Sequence, residues 1–233
     1  MELETRNHVL VIFAKAPLVG QVKTRLCPPL SLTEAAELAR CFLVDTVERA
    51  YHLPGVQVVL AITPAESEQL FRSLLPFPVE YLAQRGTSLG EREHNTFVDL
   101  LQRGATRVVL IGSDIPTLPL SHLQEAFHHL EDARCDVVFG PSNDGGYYLV
   151  GMRALHPELF ENIPWSTSSV MTETLVQTQK HGLNIALVPA WHDVDDKDDL
   201  ARLASEMAQP DNAIQAPRTR AFLKQLSFLQ FGE

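Results

Sequence analysis

Short apolar runs and segments of helical period take turns along the whole of this chain, and few folds accept that alternation. "HVLVIFA" (8–14), "VQVVLAI" (56–62), "PVEYLAQ" (78–84), "RVVLIGSDIP" (107–116), "DVVFGP" (136–141), "YYLVGM" (147–152) and "NIALVPA" (184–190) read as strands. Helix-period segments fall between them at 31–53, 89–105, 121–133, 168–182 and 198–208. Another follows Thr63-Pro64, and an amphipathic one sits in the tail from Gln209. Ser31-x-x-Glu34 has the form of a capping box, and Thr63-Pro64-x-Glu66 that of a helix start with proline in the first turn. Strands that alternate with helices over short connections imply an α/β/α sandwich around a mostly parallel sheet. The first run is apolar without a break, as expected for a strand covered on both faces. No linker rich in Gly, Ser or Pro divides the chain. One domain over residues 1–233 is expected, with 209–233 as a helical tail.

The charge balance narrows the ligands. Asp and Glu number 29 against 19 Lys and Arg, a net charge of −10, which repels an extended polyanion and argues against a nucleic-acid partner. A small anion feels only the field of one loop. Cys27, Cys41 and Cys135 are far apart with no C-x-x-C spacing, as expected for reduced thiols in the cytoplasm. The first residues lack the apolar core of a signal peptide. No run reaches the roughly 18 apolar residues that would suggest a membrane span. The histidines show no H-E-x-x-H spacing, and no serine lies in G-x-S-x-G.

In open α/β sheets ligands lie beyond the carboxyl ends of the strands, so the residues after each strand are the candidates. "AKAPLVGQVKTRL" follows the first and gathers Lys15, Lys23 and Arg25 around a turn at Gly20. Such donors suit phosphate oxygens, although neither G-x-G-x-x-G nor the P-loop pattern is present. "GSDIPTL" follows the fourth, with Ser113 and Asp114 at its tip. Lys15, Gly20, Lys23, Arg25 and Ser113 are the candidate nucleotide-binding residues. "HDVDDKDDL" supplies Asp193, Asp195, Asp196, Asp198 and Asp199. Carboxylates brought together from such tips would hold a hard cation, Mg²⁺ or Mn²⁺, through oxygen. Asp114, Asp193 and Asp195 are the candidate ligands, and Asp198 and Asp199 belong to the start of the next helix. "GPSNDGGYYLVG" follows the fifth strand. Asp144, with Asp114, is a candidate catalytic carboxylate, and Gly145, Gly146 and Tyr147 would line the acceptor side. Each segment also has a plainer reading: a solvated loop, a helix cap, or a D-G hairpin turn.

Taken in order, "AKAPLVGQVKTRL", "SLGER", "GSDIPTL", "GPSNDGGYYLVG", "PWST" and "DVDDKDDL" resemble a bacterial family of GT-A-like transferases, labelled glycosyltransferases and associated with arsenosugar biosynthesis. More distantly the chain is similar to 2-phospho-L-lactate guanylyltransferase and to the molybdenum-cofactor guanylyltransferases. The resemblance runs from about residue 8 to residue 205. It implies a nucleotide-diphospho-sugar transferase fold, Rossmann-like on the nucleotide side. It implies that Lys23 and Arg25 meet the phosphates and that Asp114 takes the place of the metal carboxylate of D-x-D. Here Gly112-Ser113-Asp114 keeps only the last Asp. "DVDDKDDL" resembles the guanylyltransferases' "DIDTPEDL", with Asp193 and Asp195 on the matching acidic positions, and "LGEREH" departs from "LGERM" at Glu93. The implied activity is metal-dependent transfer from a nucleotide-activated donor to a small-molecule acceptor. Glycosyl transfer from a nucleotide sugar comes first. The alternatives are nucleotidyl transfer from a nucleoside triphosphate to a phosphorylated small molecule, and a nucleotide-binding module without turnover. A phosphatase-like hydrolase would need an Asp after the first strand, where Ala14-Lys15 stand. Oligomeric state is not legible.

Overall fold

The structure, a computed structural model, describes residues 7–208 and 216–226. Seven strands form one sheet in the order β3-β2-β1-β4-β6-β5-β7. They are β1 (His8–Lys15), β2 (Val56–Thr63), β3 (Glu80–Ala83), β4 (Arg107–Gly112), β5 (Val137–Pro141), β6 (Tyr147–Met152) and β7 (Ile185–Leu187). All neighbours pair parallel except β6, which runs antiparallel to both β4 and β5. The Asp144–Gly146 turn between β5 and β6 forces this, because a tight hairpin can only join antiparallel strands.

Among the described residues seven α-helices accompany the sheet: α1 (Leu32–Tyr51), α2 (Glu68–Leu74), α3 (Leu89–Gln102), α4 (Leu120–His129), α5 (Val170–His181), α6 (Lys197–Ala208) and α7 (Pro217–Gln225). Strand alternation sorts the core into two faces. Leu10, Ile12 and Ala14 of β1 join a cluster with Val47 of α1, Phe71 of α2 and Phe127 of α4. Val9 and Val11 point the other way, to Phe97 of α3 and Met171 of α5. A third cluster buries the back of α1, through Leu38 and Phe42, beneath Leu203 of α6 and Leu223 of α7. Asp45 of α1 pins α7 there. Its buried carboxylate accepts from the Thr219 backbone N–H and hydroxyl, both at 2.8 Å.

The capping box of α1 is present as expected, with Ser31 and Glu34 bonding reciprocally, and Ser88 with Glu91 makes a second at α3. Pro64 departs from expectation. It stays extended before a short 3-10 turn (Ala65–Ser67), and α2 begins only at Glu68. The fourth strand ends at Gly112 rather than running on to Pro116, since Ser113 and Asp114 already belong to a turn. The expected tail segment at 209–215 and 227–233 lies outside the described residues. No described helix is long and apolar enough to cross a membrane.

The chain leaves β1 for β2 and β3 on one side, then returns to β4 on β1's other side. The strand order therefore reverses between β1 and β4, and a crevice opens beyond their carboxyl ends.

Candidate active site

A cavity of about 710 Å³ occupies that crevice. The loop after β1 forms one wall. Gly20 takes φ 75° there, the left-handed turn that glycine accepts without strain, although Gly20 itself does not line the cavity. Lys15 Nζ donates to the Gln21 carbonyl at 2.7 Å and so braces the loop across its own turn. Lys15, Lys23 and Arg25 all face the cavity.

Lys23 does something its neighbours do not. Its side chain is 5% exposed, and its ammonium sits 2.7 Å from Asp114 Oδ2 and 2.8 Å from Asp195 Oδ1. A third hydrogen bond, 2.7 Å long, goes to the Val194 carbonyl. Burial alone would push this lysine's pKa down, but Asp114 and Asp195 together hold it above the usual value. The same ammonium counters the effect of burial on Asp195 and holds that carboxyl below the usual range. These bonds staple the acidic tips of two distant segments.

Those segments meet for a local reason. The Val194 N–H donates to the Asp114 carbonyl at 3.1 Å, and the Val194 side chain is fully buried. With Val194 turned inward, extended backbone turns Asp193 and Asp195 to the cavity. Asp193 is pushed up to about 6, first by burial and then by the charge of Asp195. Asp198 and Asp199 stand in the first turn of α6, as expected. Asp196 is the cap, accepting from the N–H groups of Asp198 and Asp199, while Asp199 Oδ2 accepts back from Asp195 and Asp196. This reciprocal pair leaves Asp195 free of the helix and turned to Lys23.

Among the described residues no three acidic, histidine or cysteine side chains are grouped closely enough to hold a metal ion by themselves, but one or two carboxylates suffice for a hard cation whose other ligands are phosphate oxygens. Asp114 and Asp195 already converge on a single positive centre at distances near 2.8 Å, and Asp193 stands beside them with its ionisation opposed. Carboxylate oxygens are what Mg²⁺ and Mn²⁺ take.

The opposite wall is the β5–β6 turn and the 164–169 loop. Asp144, Gly146 and Tyr147 line the cavity, and Asp144 Oδ1 accepts from the Gly146 N–H at 2.9 Å. Gly145 does not line it. Its φ is 91°, and a Cβ there would lie 2.0 Å from the Ser168 carbonyl oxygen, so it packs the turn against the loop. Ser113 lines the cavity between the two walls.

Sequence reasoning gave no site role to Glu93, met only as a departure from "LGERM", or to Trp165 of "PWST", yet both line this space. Glu93 could have been found. It falls in one helical stripe with Gly90, Phe97 and Leu100, and a charge on an apolar stripe is out of place. Trp165 carries no such signal.

Comparison with known proteins agrees with this architecture. Residues 46–167 match a family described as "Uncharacterized protein conserved in bacteria (DUF2064)". The phosphoenolpyruvate guanylyltransferase of Mycolicibacterium gilvum (strain PYR-GCK) is 29% identical over 113 residues, 46% of this chain and 50% of that protein. The chain thus spans about half the length of the curated relative it matches. A crystal structure from Desulfovibrio desulfuricans G20, a "putative nucleotide-diphospho-sugar transferase", is similar at a TM-score of 0.88 and 30% identity, over 96% of this chain and 97% of that one. CMP:2-keto-3-deoxy-manno-octonic acid synthetase complexed with CTP shares the fold, with a TM-score of 0.57 at 15% identity over 87% and 98% of the two chains.

Proposed function

The chain belongs to the bacterial family described as "Uncharacterized protein conserved in bacteria (DUF2064)", and from that premise we propose a metal-dependent transferase that moves a nucleoside monophosphate from a nucleoside triphosphate to a phosphorylated small molecule. The observation that carries this reading is the pair Asp114 and Asp195 on the buried Lys23 ammonium, with Asp193, Lys15 and Arg25 lining the same switch-point cavity. Carboxylates and cations gathered in one cavity suit a polyphosphate bound through a divalent ion. The relative from Mycolicibacterium gilvum, by its name a guanylyltransferase, supports nucleotidyl transfer. A single Asp in Gly112-Ser113-Asp114 is compatible with it.

In this reaction an acceptor phosphate oxygen forms a bond to the α-phosphorus while the bond to the departing pyrophosphate breaks. Negative charge grows on the leaving oxygens. Lys15, braced on the Gln21 carbonyl, and Arg25 of the loop after β1 stabilise that charge. Asp114, Asp193 and Asp195 would hold Mg²⁺ or Mn²⁺, whose contribution is to neutralise phosphate charge and polarise the reacting phosphorus. Lys23 keeps Asp114 and Asp195 together before the nucleotide arrives. Asp144, held by its turn, lines the wall opposite the β1 loop.

Glycosyl transfer from a nucleotide sugar is the second reading. It is supported by likeness over nearly the whole chain to the protein from Desulfovibrio desulfuricans G20. Incubation with each nucleoside triphosphate, Mn²⁺ and phosphoenolpyruvate or another phosphorylated acid, followed by pyrophosphate release, tests the first. Nucleoside diphosphate release from UDP-glucose or GDP-mannose, with no pyrophosphate from any triphosphate, would replace it with the second.

A further inference from the structure

A buried carboxyl group stands in the cavity wall with half of its acceptors unused. Glu93 lies on the second turn of α3, 4% exposed, and borders the cavity. Among the described residues only Tyr147 hydrogen-bonds to it, Oη donating to Oε2 at 2.6 Å. That leaves Oε1 without a protein donor. Burial pushes the Glu93 carboxyl up to about 7, which the Tyr147 hydrogen bond only partly offsets, and no cation contributes.

The surroundings are built around this pair. The Tyr147 ring rests against Phe139 at 5.5 Å and meets the Trp165 ring nearly edge-on at 6.3 Å and 84°. Trp165 in turn lies on Gly90, where a Cβ would come within 2.4 Å of its indole. A buried carboxyl is costly unless its acceptors are satisfied, so a core position would be better served by an apolar side chain. An anionic group of a ligand would meet a carboxyl here with no cation to balance it. A neutral group bearing O–H or N–H would supply the missing donor.

Resting on the nucleotide-transferase reading, we infer that Glu93, oriented by Tyr147, is a specificity-determining residue. Its Oε1 accepts hydrogen bonds from an uncharged donor group of the bound nucleotide, either the N–H edge of the base or a hydroxyl of an attached sugar, lying along the Tyr147–Trp165 wall.

The test is calorimetry with ATP, GTP, CTP, UTP, UDP-glucose and GDP-mannose, on wild type, Glu93→Met and Glu93→Gln. Met removes both acceptors at similar length; Gln keeps an acceptor but loses the charge. Hydrogen bonds to a charged group carry enough free energy for roughly a 10- to 100-fold loss. Met is expected to lose that much on the preferred probe and little on the others, so that discrimination collapses, with Gln intermediate. A loss already present with a triphosphate identifies the base edge. A loss seen only with a nucleotide sugar, triphosphate affinity being kept, identifies the sugar hydroxyl. Unchanged affinities in both variants, or an equal loss on every probe, overturns the inference while the transferase reading stands. Should Glu93→Met not fold, Glu93→Gln alone decides by the same ratio. Wild type that binds none of the six probes removes the transferase reading, and this inference with it.

Discussion

Replacing Glu93 by Gln should raise the stability of this protein, and only above a particular pH. The side chain is wholly enclosed apart from its cavity edge, and its pKa rises from an ordinary 4.5 to about 7. Between those values the unfolded chain has lost the Glu93 proton while the folded chain keeps it. The unfolded state therefore binds fewer protons, and stability falls as pH climbs from about 4.5 to about 7, then levels off. A shift of that size corresponds to about 3 kcal/mol of penalty on the ionised form at pH 8. Gln fills the same space, can still bond Tyr147 and does not titrate. Below pH 4.5 the two proteins should melt together; by pH 8 the variant should be ahead by up to ~3 kcal/mol, roughly 6–12 °C for a chain of this size. Other carboxylates titrate alike in both, so the difference between paired melting curves isolates position 93. A difference that stays flat from pH 4 to pH 8, or a variant that melts lower at pH 8, would refute the burial argument.

Other perturbations separate the roles of the acidic cluster. Asp114→Asn should abolish transfer at saturating Mn²⁺ and cost about 1–3 kcal/mol through the weakened pair with Lys23; near-native turnover removes Asp114 from the metal. Lys23→Met should cost about 1–3 kcal/mol, less than for a fully buried pair because both aspartates are half in solvent, and Mn²⁺ should restore more stability to it than to wild type, read as the Mn²⁺-induced change in melting temperature. Arg25→Ala should leave the melting curve in place and weaken triphosphate binding about 10-fold or more by calorimetry. Asp196→Ala should cost about 0.5–2 kcal/mol as a lost helix cap and leave the Mn²⁺-induced shift intact, whereas Asp195→Ala should shrink that shift; the opposite pattern would exchange their roles.

Much of the frame was readable residue by residue. The apolar runs of β1, β2 and β4, the helical stripes, and the Ser31–Glu34 box are physics between near neighbours: burial period, propensity and the unpaired N–H groups of a helix start. The order of loops that feed the carboxyl ends of the strands also placed Lys15, Lys23, Arg25, Asp114, Asp193 and Asp195 around one crevice, since parallel strands bring those loops to one edge of the sheet. What each residue does there was decided only by the fold. Lys23 bonds the Val194 carbonyl across 171 residues, and no local pattern states that its ammonium will join Asp114 and Asp195. Glu93 meets Tyr147 across 54 residues, in a pocket whose polarity depends on Trp165 filling the space left open at Gly90. Partners so far apart in sequence are chosen by packing, because the energy of a buried charge depends on every group that surrounds it, and those groups come together only in the tertiary structure.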